Sequence, residues 1–240
     1  MLLLCFFASA AAVQAIEASA ASFIRTVDIT LHSNYLPKHD IVTTGFWVGE
    51  GSTGYNDTTS YASAWDDTWT RSFGGVDHPE KRVSFSSAGT VSLPKKFAPT
   101  RNPFYVALPF NDVKYPELAA KYIPWWNAKA HQRDPYVSQC RGHWLMIQFN
   151  GKTCFAQWED VGPFRTDHAK YVFGDERPTT YTKAGLDVSP AVRDYLGLSG
   201  MNKTTWRFVD NDEVPYGPWI EYGEQAILYS AIKAEPMHLN

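Results

Sequence analysis

Hydrophobic and polar positions along this chain fall into short runs rather than long amphipathic stripes, and most runs are rich in β-branched and aromatic residues. Residues 40–48 (Asp-Ile-Val-Thr-Thr-Gly-Phe-Trp-Val) read as a strand, as do 103–110, 143–150, 152–160 and 204–210. Between two of these lies Asn150-Gly151, a two-residue hairpin signal that pairs Phe149 with Lys152 and Ile147 with Cys154. Helix signals are fewer. Residues 115–122 carry a proline near the start and good helix formers after it. Ser189, Pro190 and Gly197 supply an N-cap, a first-turn residue and a C-terminal stop for a helix over 189–196. Residues 223–234 are predicted to form a terminal helix. Many short strands with long connections favour a barrel or sandwich over a parallel α/β sheet.

Length and composition narrow the picture. At 240 residues the chain suffices for one sizeable core. A net charge of −3 supplies no basic stripe for phosphates, so nucleic acid is not an expected partner. Residues 1–20 combine an apolar run with the small-residue patterns Val13-Gln14-Ala15 and Ala18-Ser19-Ala20, the marks of a secretory signal peptide, although no Lys or Arg precedes Arg25. The run is too short to span a bilayer, so no stable membrane span is expected. Cys5 lacks the small preceding residue of a lipoprotein site. An oxidising compartment would favour a Cys140–Cys154 disulfide. The hairpin register opposes it: Cys140 lies seven positions before Ile147, the partner of Cys154. That is roughly 23 Å of strand, against a Cα limit of about 7 Å. A bridge would require the chain before Trp144 to fold back.

Two strings carry candidate chemistry. Trp158-Glu159-Asp160-Val161-Gly162-Pro163-Phe164 and Leu186-Asp187-Val188-Ser189-Pro190 each end a strand-like run on an aspartate and follow it with turn or helix-start chemistry, a way to present carboxylates at a cleft rim. Ser189 already fills the cap position, which leaves Asp187 free for other work. Asp160 stands before a Gly-Pro turn, where an aspartate either pins backbone N–H groups or lines the cleft. Glu159, its neighbour, is expected on the opposite face.

These strings resemble the core of double-psi β-barrels of the rare lipoprotein A, expansin and membrane-bound lytic transglycosylase A superfamily, which also holds the family 45 endoglucanases. The match lies in Asp160, Gly162, Pro163 and Phe164, in Asp187-Val188-Ser189-Pro190, in Leu196-Gly197-Leu198 and in Ala107-Leu108-Pro109-Phe110; it covers residues 104–110 and 143–209. The resemblance implies a mainly β fold: a six-stranded double-psi β-barrel core with long loop insertions and a few short helices. The expected organisation is a signal peptide at 1–20, a lead-in at 21–39, an elaborated barrel domain at 40–222 and a C-terminal helix or tail at 223–240. Segments 49–102, 111–140 and 165–185 would be insertions, and long insertions commonly shape a binding site.

The same resemblance implies a secreted or periplasmic protein acting on a cell-wall glycan, peptidoglycan or another polysaccharide. Asp187 matches the catalytic acid, or the acid and base of the transglycosylase, and Asp160 matches a groove residue that supports acid or substrate. Thr44-Gly45-Phe46-Trp47-Val48-Gly49-Glu50 is similar to the T-x-Y-W-D segment that carries the base of family 45 endoglucanases, which makes Glu50 the candidate base. Inverting hydrolysis needs such a second carboxylate about 6.5–9.5 Å from the acid. A lytic transglycosylase needs only one group, because the substrate's own 6-hydroxyl attacks. An expansin-like module needs none. The aspartates of the two strings stand 27 positions apart, further than in rare lipoprotein A, so the segment between them is expected to cover or redefine the groove.

Nine tryptophans add possible sugar-stacking faces. Trp47, Trp65, Trp125, Trp126 and Phe164 are the substrate-binding candidates, whereas Trp144, Trp158 and Trp206 lie on strands and are expected in the core. Gly49–Gly54 fits G-x-G-x-x-G but runs into polar residues instead of a helix, so no dinucleotide cofactor is expected. The seven histidines show no ligand spacing, and no metal is expected either.

Overall fold

The computed structural model describes residues 35–52, 59–86, 90–180 and 182–223. The expected signal peptide, most of the lead-in and the helix expected over 223–234 fall outside the described residues, apart from Gly223.

The described residues form eight strands: β1 (Lys38–Gly45), β2 (Arg82–Ser86), β3 (Thr90–Pro94), β4 (Tyr105–Leu108), β5 (Trp144–Phe149), β6 (Lys152–Val161), β7 (Ala184–Val188) and β8 (Asn202–Val209). Six close into a barrel in the order β1-β7-β4-β6-β5-β8, while β2 and β3 form a separate hairpin. Pairs β1/β7 and β4/β6 are parallel and the other barrel pairs antiparallel. The fold is thus mainly β with a closed, mixed six-stranded barrel, compatible with a double-psi barrel. Six short helices accompany it: α1 (Trp69–Phe73), α2 (Pro116–Tyr122), α3 (Ala128–Arg133), α4 (Ala169–Val172), α5 (Pro190–Leu196) and α6 (Pro218–Glu221). No helix among the described residues is long and apolar enough to cross a membrane.

Local chemistry explains the elements that were legible in advance. Asn150 and Gly151 both take positive φ (47° and 76°), as a two-residue turn requires, and Phe149 pairs with Lys152 and Ile147 with Cys154. Ser189 Oγ accepts from Val192 N at 3.3 Å and donates to the Pro103 carbonyl at 2.8 Å, and Gly197 ends α5 at φ 78°. Cys140 and Cys154 are free, buried thiols. Cys140 is held elsewhere, its N–H donating to Asp112 Oδ2 at 3.2 Å.

The barrel interior is filled by large apolar side chains, among them Leu145, Ile147, Trp158, Leu186, Val188 and Trp206. Trp144, Trp158 and Trp206 lie in this core, as expected. A second cluster lies outside the barrel wall. Phe46, Val48, Trp69 and Phe73, from the end of β1 and the long connection after it, pack on Tyr105 and Ala107 of β4. Alternate residues of β4, Val106 and Leu108, face the main core. β4 is therefore buried on both faces, which accounts for a sequence without polar alternation.

A buried polar hub ties this outer layer to the barrel. The Tyr105 hydroxyl donates to Asp77 Oδ2 at 2.9 Å and accepts from Val48 N at 3.0 Å. Arg82 pairs with the fully buried Asp77, and its Nε donates to Ser92 Oγ at 2.7 Å across the β2–β3 hairpin. Replacing Arg82 by Met is expected to destabilise the fold by about 3–5 kcal/mol, because Asp77 stays buried without its counter-charge. Adding Asp77→Asn should recover most of the loss. Urea denaturation followed by tryptophan fluorescence measures both, and an unchanged midpoint in R82M would show that the pair contributes nothing.

Candidate functional site

Strand register brings the two aspartates into one row. Thr44 of β1 pairs with Asp187 of β7, Asp187 with Ala107 of β4, and Ala107 with Asp160 of β6. Directly paired residues share a face of the sheet, so the two aspartates flank one methyl group. With neighbouring strands ~4.8 Å apart, their Cα atoms stand about 10 Å from each other across Ala107.

Two bulges set this alignment. Val106 pairs with Trp158 but Ala107 pairs with Asp160, which leaves Glu159 as an extra residue. Without that shift Asp160 would share the inward face of Trp158. On β7 the pairs Val42–Ala184 and Thr43–Leu186 leave Gly185 over. A side chain at 185 would run into the Tyr171 hydroxyl and the Pro178 ring.

Each carboxylate has a distinct setting. Asp187 is half-buried; its Oδ1 accepts a short hydrogen bond from Thr44 Oγ1. Its Oδ2 accepts none from the described residues and faces Gly162, where a Cβ would come within 3.6 Å of it. Asp160 Oδ1 accepts from Ala64 N and from Val161 N, both at 2.8 Å. It thus pins backbone N–H groups, the first of the two roles its sequence context allowed. Glu159 turns to Arg141, 3.0 Å away. Arg141 also reaches the Trp65 carbonyl and Asp66, which anchors the turn that carries Ala64.

Glu50 follows a turn in which its N–H donates to the Trp47 carbonyl at 3.0 Å and Gly49 takes φ 80°, a conformation that suits glycine. Residues 60–64 then run from one acid to another: Ser60 N donates to the Glu50 carbonyl at 2.9 Å, and Ala64 N reaches Asp160.

Burial pushes all three acids up. Asp187 rises to about 6, opposed by the Thr44 hydroxyl. Asp160 rises to about 7, opposed by the Ala64 and Val161 amides and raised further by the charges of Asp187 and Glu159. Glu50 rises to about 7, opposed by the Trp47 amide and raised further by Asp187. The charge of Asp187 is therefore felt at both other carboxylates, as a smaller contribution than burial.

The aromatic candidates divide. Phe164 follows Gly162-Pro163, joined by a cis peptide, and is 69% exposed. Trp65 adjoins Ala64 and packs edge-on against Trp158 at 5.6 Å, its indole N–H buried without a partner among the described residues. Trp47 lies 5.9 Å from the His78 ring. Trp125 stacks on His143 at 3.9 Å and donates to the Gln139 carbonyl, and Trp126 adjoins His131. Trp125 also packs edge-on against Phe173 and the core residue Phe208, at 5.6 and 5.1 Å, and among the described residues no hydrogen bond joins either indole to the carboxylates of the row. Thr44, Ala107 and Gly162 stood in the matched motifs but were given no role in the site. Only pairing across four strands reveals them. Among the described residues no group of three His, Cys, Asp or Glu is placed to hold a metal ion.

No protein-family model matches this chain, and comparison with curated proteins finds no match.

The pKa shifts imply a pH-dependent stability with a defined sign. A carboxyl that holds its proton more tightly when folded stabilises the fold at low pH, and that contribution is lost as pH rises through the folded value. For Asp187 the loss falls between about pH 4 and pH 7. Asp187→Asn is expected to unfold later than wild type at pH 8, by about 1–2 kcal/mol after solvent screening, with the gap closing towards pH 4. Thermal denaturation across pH 4–8 measures it; a constant gap would exclude a titration origin.

Proposed function

We propose that this protein cleaves glycan strands of the cell envelope, with Asp187 as a single acid and base. The observation that carries the reading is the setting of Asp187: a carboxyl raised towards neutrality, one oxygen oriented by Thr44 and the other, beside Gly162, without a hydrogen-bond partner among the described residues. The resemblance of the Asp160–Phe164 and Asp187–Pro190 segments to the rare lipoprotein A and lytic transglycosylase A superfamily supports the same reading. So does the closed six-stranded barrel. A glycan of this kind lies outside the cytoplasm, in keeping with the leader-like residues 1–20.

In this mechanism protonated Asp187 gives its proton to the glycosidic oxygen as the bond from that oxygen to the anomeric carbon breaks. The sugar's own 6-hydroxyl then bonds to the same carbon and returns its proton to Asp187, closing a 1,6-anhydro ring. Burial raises Asp160 towards neutrality, which reduces the negative charge it places beside the acid. A second reading is favoured by one feature, the electrostatic coupling of Glu50 to Asp187. In it Glu50 acts as base on a water molecule and the product is a hydrolysed reducing end.

Digestion of purified sacculi followed by mass spectrometry distinguishes these. Anhydro ends are expected, with rates reduced at least about 10²-fold in Asp187→Asn. Reducing ends abolished by Glu50→Gln would establish hydrolysis instead, and sacculi bound without any product would establish an expansin-like binding module. Loss of the Thr44 hydroxyl removes a bond that favours charged Asp187, so Thr44→Val should move the alkaline limb of the activity profile to higher pH. An unmoved limb would show that Asp187 is not the titrating acid.

A further inference from the structure

Two aromatic side chains on the segments that adjoin the carboxylate row are exposed. Phe164 is 69% exposed and Tyr61 54% exposed. Phe164 also adopts φ 59°, a region that residues with bulky side chains rarely occupy. The N–H of Arg165 donates to the Pro163 carbonyl at 2.6 Å, closing a tight three-residue turn around it. An unfavourable backbone thus holds an apolar ring out in water, two residues after the glycine that faces Asp187 Oδ2. Strain kept in this way marks positions that serve something other than the fold.

Tyr61 borders the other end. It lies on the 60–64 segment that runs from Glu50 to Asp160, and its hydroxyl lies 3.8 Å from where a Cβ on Gly51 would stand. Its carbonyl accepts from Thr70 N at 3.0 Å and Thr70 Oγ1 at 2.8 Å, so the main chain is fixed while the ring stays open to solvent. Pyranose rings carry an apolar C–H face that packs on an aromatic face, and the hydroxyls around it keep their water.

We propose that Phe164 and Tyr61 are two separate sugar-stacking subsites, one beside Asp187 and one beside Glu50, so that the site engages at least two residues of a polymer. This rests on the glycan reading above. It adds that the preferred ligand is a chain and not a terminal sugar or a disaccharide.

The test is equilibrium binding of peptide-free glycan strands and of the disaccharide unit to wild type, Phe164→Gly, Phe164→Trp, Tyr61→Ala and the Phe164→Gly/Tyr61→Ala double variant, with a melting curve for each. Glycine accepts φ 59° without strain, so F164G should melt at or above wild type while its affinity for long strands falls roughly fivefold to tenfold. F164W should keep the affinity. Y61A should weaken strand binding by a similar factor, and the double variant by the product of the two. Disaccharide binding should respond to at most one of the single changes. Wild-type affinity in F164G and Y61A would overturn the two subsites while leaving the glycan reading intact. A lower melting point in F164G would assign the ring to packing and overturn its subsite. Failure of wild type to bind any strand would overturn the glycan reading itself, and the subsites with it.

Discussion

Strand β4 is the part on which the rest of the structure depends. It is short, it lies between β6 and β7, and it is buried on both faces, inward against the barrel core and outward against Phe46, Val48, Trp69 and Phe73. A strand covered on both sides has no room to slip register, because a one-residue shift exchanges every side chain between two packed environments. The small Ala107 is what lets acids stand on both sides of it. A larger residue there would fill the space between Asp187 and Asp160. The Tyr105 hydroxyl, two residues earlier, joins the Asp77–Arg82 pair and so fixes the outer layer over the same strand. Wall, cover and acids are all referenced to four residues.

Much of this architecture was legible in the amino-acid order, for identifiable reasons. Asn150-Gly151 specifies a hairpin by local backbone preference alone, and its register followed residue for residue. Ser189, Pro190 and Gly197 are likewise local signals, and α5 begins and ends where they stand. The hairpin β2–β3 was missed. Its strands lie in a connection read as loop, and its most telling residue, Arg82, finds its partners Asp77, Ser92 and Asp194 only in the folded chain.

The candidate site was legible as a set of acids but not as an arrangement. Asp187, Asp160 and Glu50 could be picked out by their contexts, yet alternation along β6 would have put Asp160 on the inward face with Trp158. The bulge at Glu159 reverses that, and bulges come from pairing between strands, which no local pattern encodes. The tryptophans show the same limit. Trp125 and Trp65 both lie in long connections, and only the partners separate them: a stacked His143 for one, and an edge contact beside Asp160 for the other. Burial of these three carboxyls raises their pKa values and works against stability at neutral pH.

The row Thr44–Asp187–Ala107–Asp160 has a consequence for the timing of folding. Its members come from four strands spread over more than half the chain, and each adjacent pair is made by a barrel contact between distant segments. Local hairpins such as β5–β6 form early and rapidly, while closures of this span come late. Until the last parallel pairing is made, the acids remain ordinary solvated carboxylates with ordinary acidity. Completion of the barrel is therefore the event that sets the raised pKa values of these carboxyls.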